Sequence, residues 1–285
     1  MPRQLFFVVA LFAGWLAGAN GQPASAAPDA VLWERWLAHD PESTETIDHD
    51  VWGEFLDRYL VTGTDGINRV AYGSVTPEGR AVLDRYIAGL TEVRVSGYAR
   101  PEQMAYWINL YNALTVQVIL DHYPVASIRD VDISPGLFSD GPWGKKLVTI
   151  EGENVGLDDI EHQILRPIFE DPRIHYAVNC ASIGCPNLQP SPFQADLLDR
   201  QLDDAAIEFI NHSRAVDIRG GRLRASSIYD WFEEDFGGDD RGVIAHLKAF
   251  AAPDLAMKLE GVSGVGDYDY DYDWRLNDAM AQTGS

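Results

Sequence analysis

Residues Pro101 to about His122 constrain the fold of this chain more than any other stretch. Pro101 stands at a helix-opening position, and the run Tyr106-Trp-Ile-Asn-Leu-Tyr-Asn-Ala-Leu-Thr-Val-Gln-Val-Ile-Leu120 that follows is apolar almost all the way round. A helix without a polar face belongs in the centre of a domain. Asn109 and Asn112 lie three residues apart and share one side of it. Buried amides need hydrogen-bond partners, so a polar segment has to meet that side.

The flanking patterns supply the layers around such a helix. Trp52, Phe55, Leu56, Tyr59 and Leu60 fall on one stripe of a helix over Val51 to Val61, and Thr76-Pro77 opens another with Leu83, Tyr86, Ile87 and Leu90 inward. A third runs from Gly156 to Arg166 until Pro167 stops it. Ser191-Pro192 opens a long helix to about Asn211. Val216 to Arg224 forms a hairpin about Gly220-Gly221. Ser226 or Ser227 caps a helix through Trp231, another spans Val243 to Ala251, and Tyr268 to Trp274 alternates as a final strand. Arg173 to Cys180 also alternates. As a strand it sends Arg173, His175, Ala177 and Asn179 to one face and Ile174, Tyr176, Val178 and Cys180 to the other. The expected fold is α/β or α+β, a helix-rich single domain with a small sheet and a central buried helix.

The N-terminus resembles an export signal, with Arg3 before the apolar run Leu5 to Ala17 and Ala24-Ser25-Ala26 as a cleavage pattern. That divides the chain into a signal peptide over 1–26, a lead-in over 27–50, a domain over 51–278 and a tail over 279–285. The expected mature protein begins near Ala27, is periplasmic or secreted, and has no stable membrane insertion after signal removal. About 255 residues remain, ample for a core. A formal charge of -22 argues against nucleic acid as a partner, because phosphate backbones require a basic footprint. The partner is instead an envelope substrate or an envelope protein.

The chemistry concentrates in His175-Tyr-Ala-Val-Asn-Cys180-Ala-Ser-Ile-Gly-Cys185-Pro, which holds the only two cysteines. In an oxidising compartment Cys180 and Cys185 can pair as a disulfide, worth about 2 kcal/mol for so short a loop. Alternatively one sulfur is a nucleophile and His175 its base, oriented by Asn109, Asn112, Asn179 or Glu161. Strand parity favours Cys185 over Cys180 as the sulfur near His175. The first alternative makes a non-catalytic binding or assembly domain; the second makes a thiol-dependent hydrolase or acyltransferase acting on amide or ester bonds. A redox role is weaker, since four residues separate the cysteines where thioredoxin-like pairs have two.

Other clusters carry less. Glu161, His162 and Arg166 lack zinc-site spacing and suit a buried ion pair, so no metal and no cofactor is expected. Asp267, Asp269, Asp271 and Asp273 would share one solvated strand face. Most tryptophans sit at core spacings, with Trp143 in its Gly-Pro-Trp-Gly loop the one suited to line a pocket.

Four segments together resemble a known family. They are Ala105-Tyr-Trp-Ile-Asn-Leu-Tyr-Asn-Ala-Leu-Thr115, Leu157-Asp-Asp-Ile-Glu-His-Gln-Ile-Leu-Arg166, Asp171 to Pro186, and Tyr272-Asp-Trp-Arg-Leu-Asn277. In this order, across roughly Asp50 to Asp278, they are similar to the domain of unknown function 547 family. Arg275 departs from the small polar residue expected in the last motif. The resemblance implies a shared fold and an exported habit, and it implies no reaction.

Overall fold

The computed structural model describes residues 28–135, 141–269 and 272–280. The expected signal segment lies outside the described residues. Helix α1 (Asp50–Tyr59) leads into the antiparallel pair β1 (Leu60–Thr62) and β2 (Asn68–Val70), and α2 (Pro77–Thr91) follows with Thr76 capping the Gly79 N–H. Helix α3 (Arg100–His122) is buried without interruption from Gln103 to Val116, as its apolar circumference requires. Strands β3 (Val148–Ile150) and β4 (Glu153–Val155) form a second small hairpin. Among the described residues no helix is long and apolar enough to cross a membrane.

The next three elements depart from expectation. The helix after Gly156 is a π-helix over Asp159–Leu165, in which the Arg166 N–H reaches the Glu161 carbonyl, and it continues into α4 (Arg166–Phe169). Pro167 does not stop it, because it stands in the first turn of α4, where a missing N–H costs little. The chain leaves the helix at Glu170, with φ at 50°.

The segment read as a strand from Arg173 to Cys180 contains a helical turn, α5 (Ile174–Ala177). Every residue from Ile174 to Asn179 is buried, so alternation of polarity there says nothing about faces. Helix α6 (Leu198–Ile210) also starts later than the Ser191-Pro192 signal. Phe193 is held off the helix because the Asn109 side chain bonds both its N–H and its carbonyl.

Strands β5 (Val216–Arg219) and β6 (Arg222–Ser226) form the expected hairpin, with Gly220 at φ 58° and Gly221 at φ 78°, the left-handed pair that a two-residue turn demands. Helix α7 (Ile228–Trp231), a 3-10 turn over Glu233–Phe236, α8 (Asp240–Phe250) and α9 (Pro253–Leu259) follow. Strand β7 (Val265–Asp269) then joins β6 in parallel. It ends before the expected Trp274; Tyr270 and Asp271 lie outside the described residues. The proposed carboxylate face is broken up, since Asp269 pairs with Arg224 and Asp273 with Arg275.

This is an α+β fold with two cores. One surrounds α3 and includes Trp52, Leu83, Trp107, Ile164 and Phe193. The other gathers Phe209, Leu223, Tyr229, Phe236 and Leu247. The segment from Ile174 to Cys185 runs along their seam: Ile174, Ala177 and Val178 pack into the first core and Tyr176 into the second.

Candidate functional site

The two asparagines of α3 explain how the cysteine turn is held. Asn112 donates from Nδ2 to the Ala177 carbonyl at 2.9 Å and accepts the Asn179 N–H at 2.8 Å. Asn109 does the same for Phe193, at 2.8 and 3.0 Å. Both amides are thus committed to backbone. They clamp irregular chain against the buried helix, and neither orients an imidazole.

Asn179 builds the turn itself. Its Oδ1 accepts the Ala181 N–H at 2.9 Å, and its Nδ2 donates to the Pro186 carbonyl at 2.7 Å, which closes the loop on either side of the sulfurs. Ala181 sits at φ 56°, a left-handed conformation that a residue with a Cβ adopts only when its surroundings impose it. From the far side the C-terminal segment pairs with the turn: the Ile183 N–H donates to the Arg275 carbonyl, the Gly184 N–H to that of Asp273, and the Asn277 N–H to that of Ala181.

Cys180 and Cys185 are free thiols in the structure. The Cys180 N–H points at Cys185 Sγ at 2.9 Å. Cys180 Sγ lies 3.2 Å from Ser182 Oγ and 3.6 Å from Tyr272 Oη. Cys185 is buried and Cys180 half-buried. Burial pushes the Cys180 thiol up, but hydrogen bonds from Cys185, Ser182 and Tyr272 outweigh it and leave the thiol below its ordinary value. Burial and the neighbouring sulfur push Cys185 well up. Tyr272 is also driven well up, first by burial and then by the sulfurs, so it keeps its proton. The two thiols are therefore unequal, and the more accessible one ionises first.

Tyr272 reaches Cys180 only because residue 184 is glycine. A Cβ there would stand 2.8 to 3.0 Å from the Tyr272 ring. Gly184→Ala is expected to cost about 1–3 kcal/mol in urea unfolding and to raise the pH at which Cys180 alkylates.

His175 belongs to a separate cluster. Its Nε2 is 2.7 Å from Asp235 Oδ2, and the Phe232 ring stacks on it at 4.1 Å. Nδ1 is buried without a hydrogen-bond partner, 3.9 Å from Glu161 Oε1. Glu161 Oε2 accepts the Tyr111 hydroxyl at 3.0 Å, and burial pushes its carboxyl up. Arg166 binds the same Asp235 through Nε at 2.6 Å and reaches His162 Nδ1 at 3.2 Å. Burial also lowers His162 to about 4, so that ring is neutral at pH 7. Among the described residues no hydrogen bond joins either sulfur to an imidazole, so the expected histidine–cysteine pair is not formed. Nor is any group of three or more His, Cys, Asp or Glu side chains placed there to hold a metal ion.

Sequence reasoning missed Asp235 and Tyr111. Asp235 follows two glutamates in Glu233-Glu-Asp, where nothing distinguishes it from a solvated acidic run. Tyr111 looks like one more aromatic of an apolar helix. Trp143 is half-buried and meets Trp274, which in turn contacts the Tyr272 ring.

Residues 95–210 match the family model described as "Protein of unknown function, DUF547". No curated protein and no solved structure matches the chain. The DUF547 match takes in α3, the π-helix, both cysteines and α6. Asp235 and Tyr272, which complete the two clusters, lie beyond it, as does the segment that pairs with the cysteine turn.

Proposed function

We propose that the protein is an exported, cell-envelope hydrolase or acyltransferase whose nucleophile is Cys180, acting on amide or ester bonds. The observation that carries this reading is the asymmetry of the thiol pair. Cys180 is half-buried, lowered below its ordinary value and stabilised by two hydroxyls, beside a backbone held at a left-handed angle. Such a thiol ionises more readily than an ordinary cysteine without a paired histidine.

The step balances with groups present in the chain. The Cys180 sulfur forms an S–C bond to the carbonyl carbon as the C–N or C–O bond breaks, and the thiol proton leaves on the amine or alcohol. Water or an acceptor hydroxyl then attacks the thioester, the S–C bond breaks, and the attacking group's proton returns to Cys180. The mature chain in this reading begins near Ala27 in the periplasm.

A second reading has an observation of its own. Cys185 Sγ lies against the backbone of Cys180, which suits closure of a disulfide in an oxidising compartment and a binding or assembly role. Intact mass and iodoacetamide alkylation of the protein purified from periplasm separate the two. The expected result is two free thiols, one of them alkylated rapidly below pH ~7 and absent in Cys180→Ser. A quantitative disulfide, inert to alkylation, would replace the enzyme with the binding domain.

A further inference from the structure

Cys185 is a buried nucleophile that the acyl transfer at Cys180 does not use. It is 5% exposed, too little for a dissolved substrate to reach the sulfur, yet it stands against the thiol that is accessible. Its Sγ accepts the Cys180 N–H at 2.9 Å, and its thiol in turn hydrogen-bonds the Cys180 sulfur.

The scaffold around the pair does not depend on a bond between the sulfurs. Asn112 fixes the Ala177 carbonyl and the Asn179 N–H. Asn179 then ties down Ala181 and Pro186, the residues that follow the two cysteines. Between them, the N–H groups of Ile183 and Gly184 bond the carbonyls of Arg275 and Asp273, and Arg214 Nη1 donates to the Ile183 carbonyl at 2.9 Å. Both thiols are thus held side by side before they react, and groups fixed in this way meet at a high effective concentration. Their roles are also unequal. Cys180 is the accessible thiol that ionises first, while burial and then the neighbouring sulfur keep the proton on Cys185. An accessible, readily ionised cysteine beside a shielded second thiol converts an oxidised sulfur into a disulfide before it is oxidised further.

We propose that Cys185 is a resolving thiol, which closes a reversible disulfide onto Cys180 after a hydroperoxide has oxidised it. The consequence for catalysis rests on the reading of Cys180 as the nucleophile: the disulfide switches the enzyme off, and reduction by a dithiol switches it on. In the first step an S–O bond forms at Cys180 as the O–O bond of the peroxide breaks, and the thiol proton leaves on the alcohol, or on water from hydrogen peroxide. The sulfur is oxidised and the peroxide reduced by the same electron pair. Cys185 then attacks the sulfenic acid. The S–S bond forms as the S–O bond breaks, and the Cys185 proton departs with the hydroxyl as water. Exchange with a dithiol restores both thiols and leaves that reductant as a disulfide.

The test uses the full chain, reduced with dithiothreitol, freed of it and exposed to equimolar hydrogen peroxide, with intact mass and iodoacetamide alkylation as readouts. The wild type is expected to lose the mass of two hydrogens as a monomer, to fall in alkylation rate by roughly tenfold or more, and to recover both with dithiothreitol. Cys185→Ser should instead stop at a sulfenic acid that dimedone traps, and with excess peroxide pass to a sulfinic acid that dithiothreitol does not reverse. Cys185→Ala has the same expected result and serves if a hydroxyl in that buried place unfolds the chain. A wild type that peroxide leaves unchanged, one whose sulfenic acid accumulates, one that pairs between chains, or one whose disulfide resists dithiothreitol would overturn the proposal. So would a Cys185 variant that recovers as the wild type does. The two readings fail separately. If Cys180 alkylates rapidly below pH ~7 and no disulfide closes, the nucleophile stands and the switch falls. If the disulfide closes and reopens while reduced Cys180 alkylates no faster than an ordinary thiol, the redox pair stands and the enzyme falls.

Discussion

Asn112→Ala is expected to lower the unfolding free energy by about 3–5 kcal/mol, measured by urea denaturation at pH 7. The side chain is 2% exposed and serves two backbone groups, the Ala177 carbonyl and the Asn179 N–H. Truncation strips both of partners where water does not reach, at about 1–3 kcal/mol for each group, and leaves a small void beside them. The same change should disorder the turn that carries Cys180, so the pH midpoint of its alkylation rises toward that of an ordinary thiol. Asn109→Ala provides the comparison. It removes an equivalent clamp, on Phe193, and is expected to cost a similar amount while leaving the thiol midpoint where it was. Equal effects of the two variants on the thiol would show that global loosening, not the Asn112 clamp, sets its reactivity.

That contrast shows what the sequence could and could not disclose. A helix apolar on all sides announces its own burial, and two amides on it announce that polar partners must come to it. Which partners was hidden, because an asparagine that orients a catalytic ring and one that clamps a peptide look alike as letters. The Gly220-Gly221 turn was legible because two adjacent residues without a Cβ readily take the positive φ that a two-residue hairpin turn requires. The turn at Ile174–Ala177 was not, since a fully buried segment shows alternation that has no connection with faces. The thiol pair was visible as a pair, and its asymmetry was not. That asymmetry depends on Tyr272, which arrives from 92 positions away and packs where Gly184 leaves room. Asp235 shows the same blindness: its weight comes from meeting His175 and Arg166 across 60 and 69 positions, and local sequence contains no trace of that meeting.

Asp235→Ala is the second substitution with a large expected cost, about 3–5 kcal/mol at pH 7. The carboxylate accepts from His175 Nε2 at 2.7 Å and from Arg166 Nε at 2.6 Å, and both of those side chains are nearly inaccessible. Its removal leaves the buried Arg166 guanidinium with His162 and the Pro28 carbonyl as its hydrogen-bond partners. The charge origin of the effect has a distinct pH signature. Burial pushes the Asp235 carboxyl up, and the hydrogen bonds and charges of His175 and Arg166 outweigh burial and hold it at about 2. A carboxyl depressed on folding stabilises the native state above its unfolded value, near 4, and that contribution is lost as pH falls through the folded value. The stability gap between wild type and Asp235→Ala should therefore be full at pH 7 and shrink between pH ~4 and ~2, by roughly 2–3 kcal/mol. Asp235→Asn keeps an acceptor for one of its partners and no charge, so it should fall between the two and show no such dependence. A gap that stays constant on acidification would mean that the side chain matters for something other than its charge, and that the His175–Asp235–Arg166 line is not an ionic one.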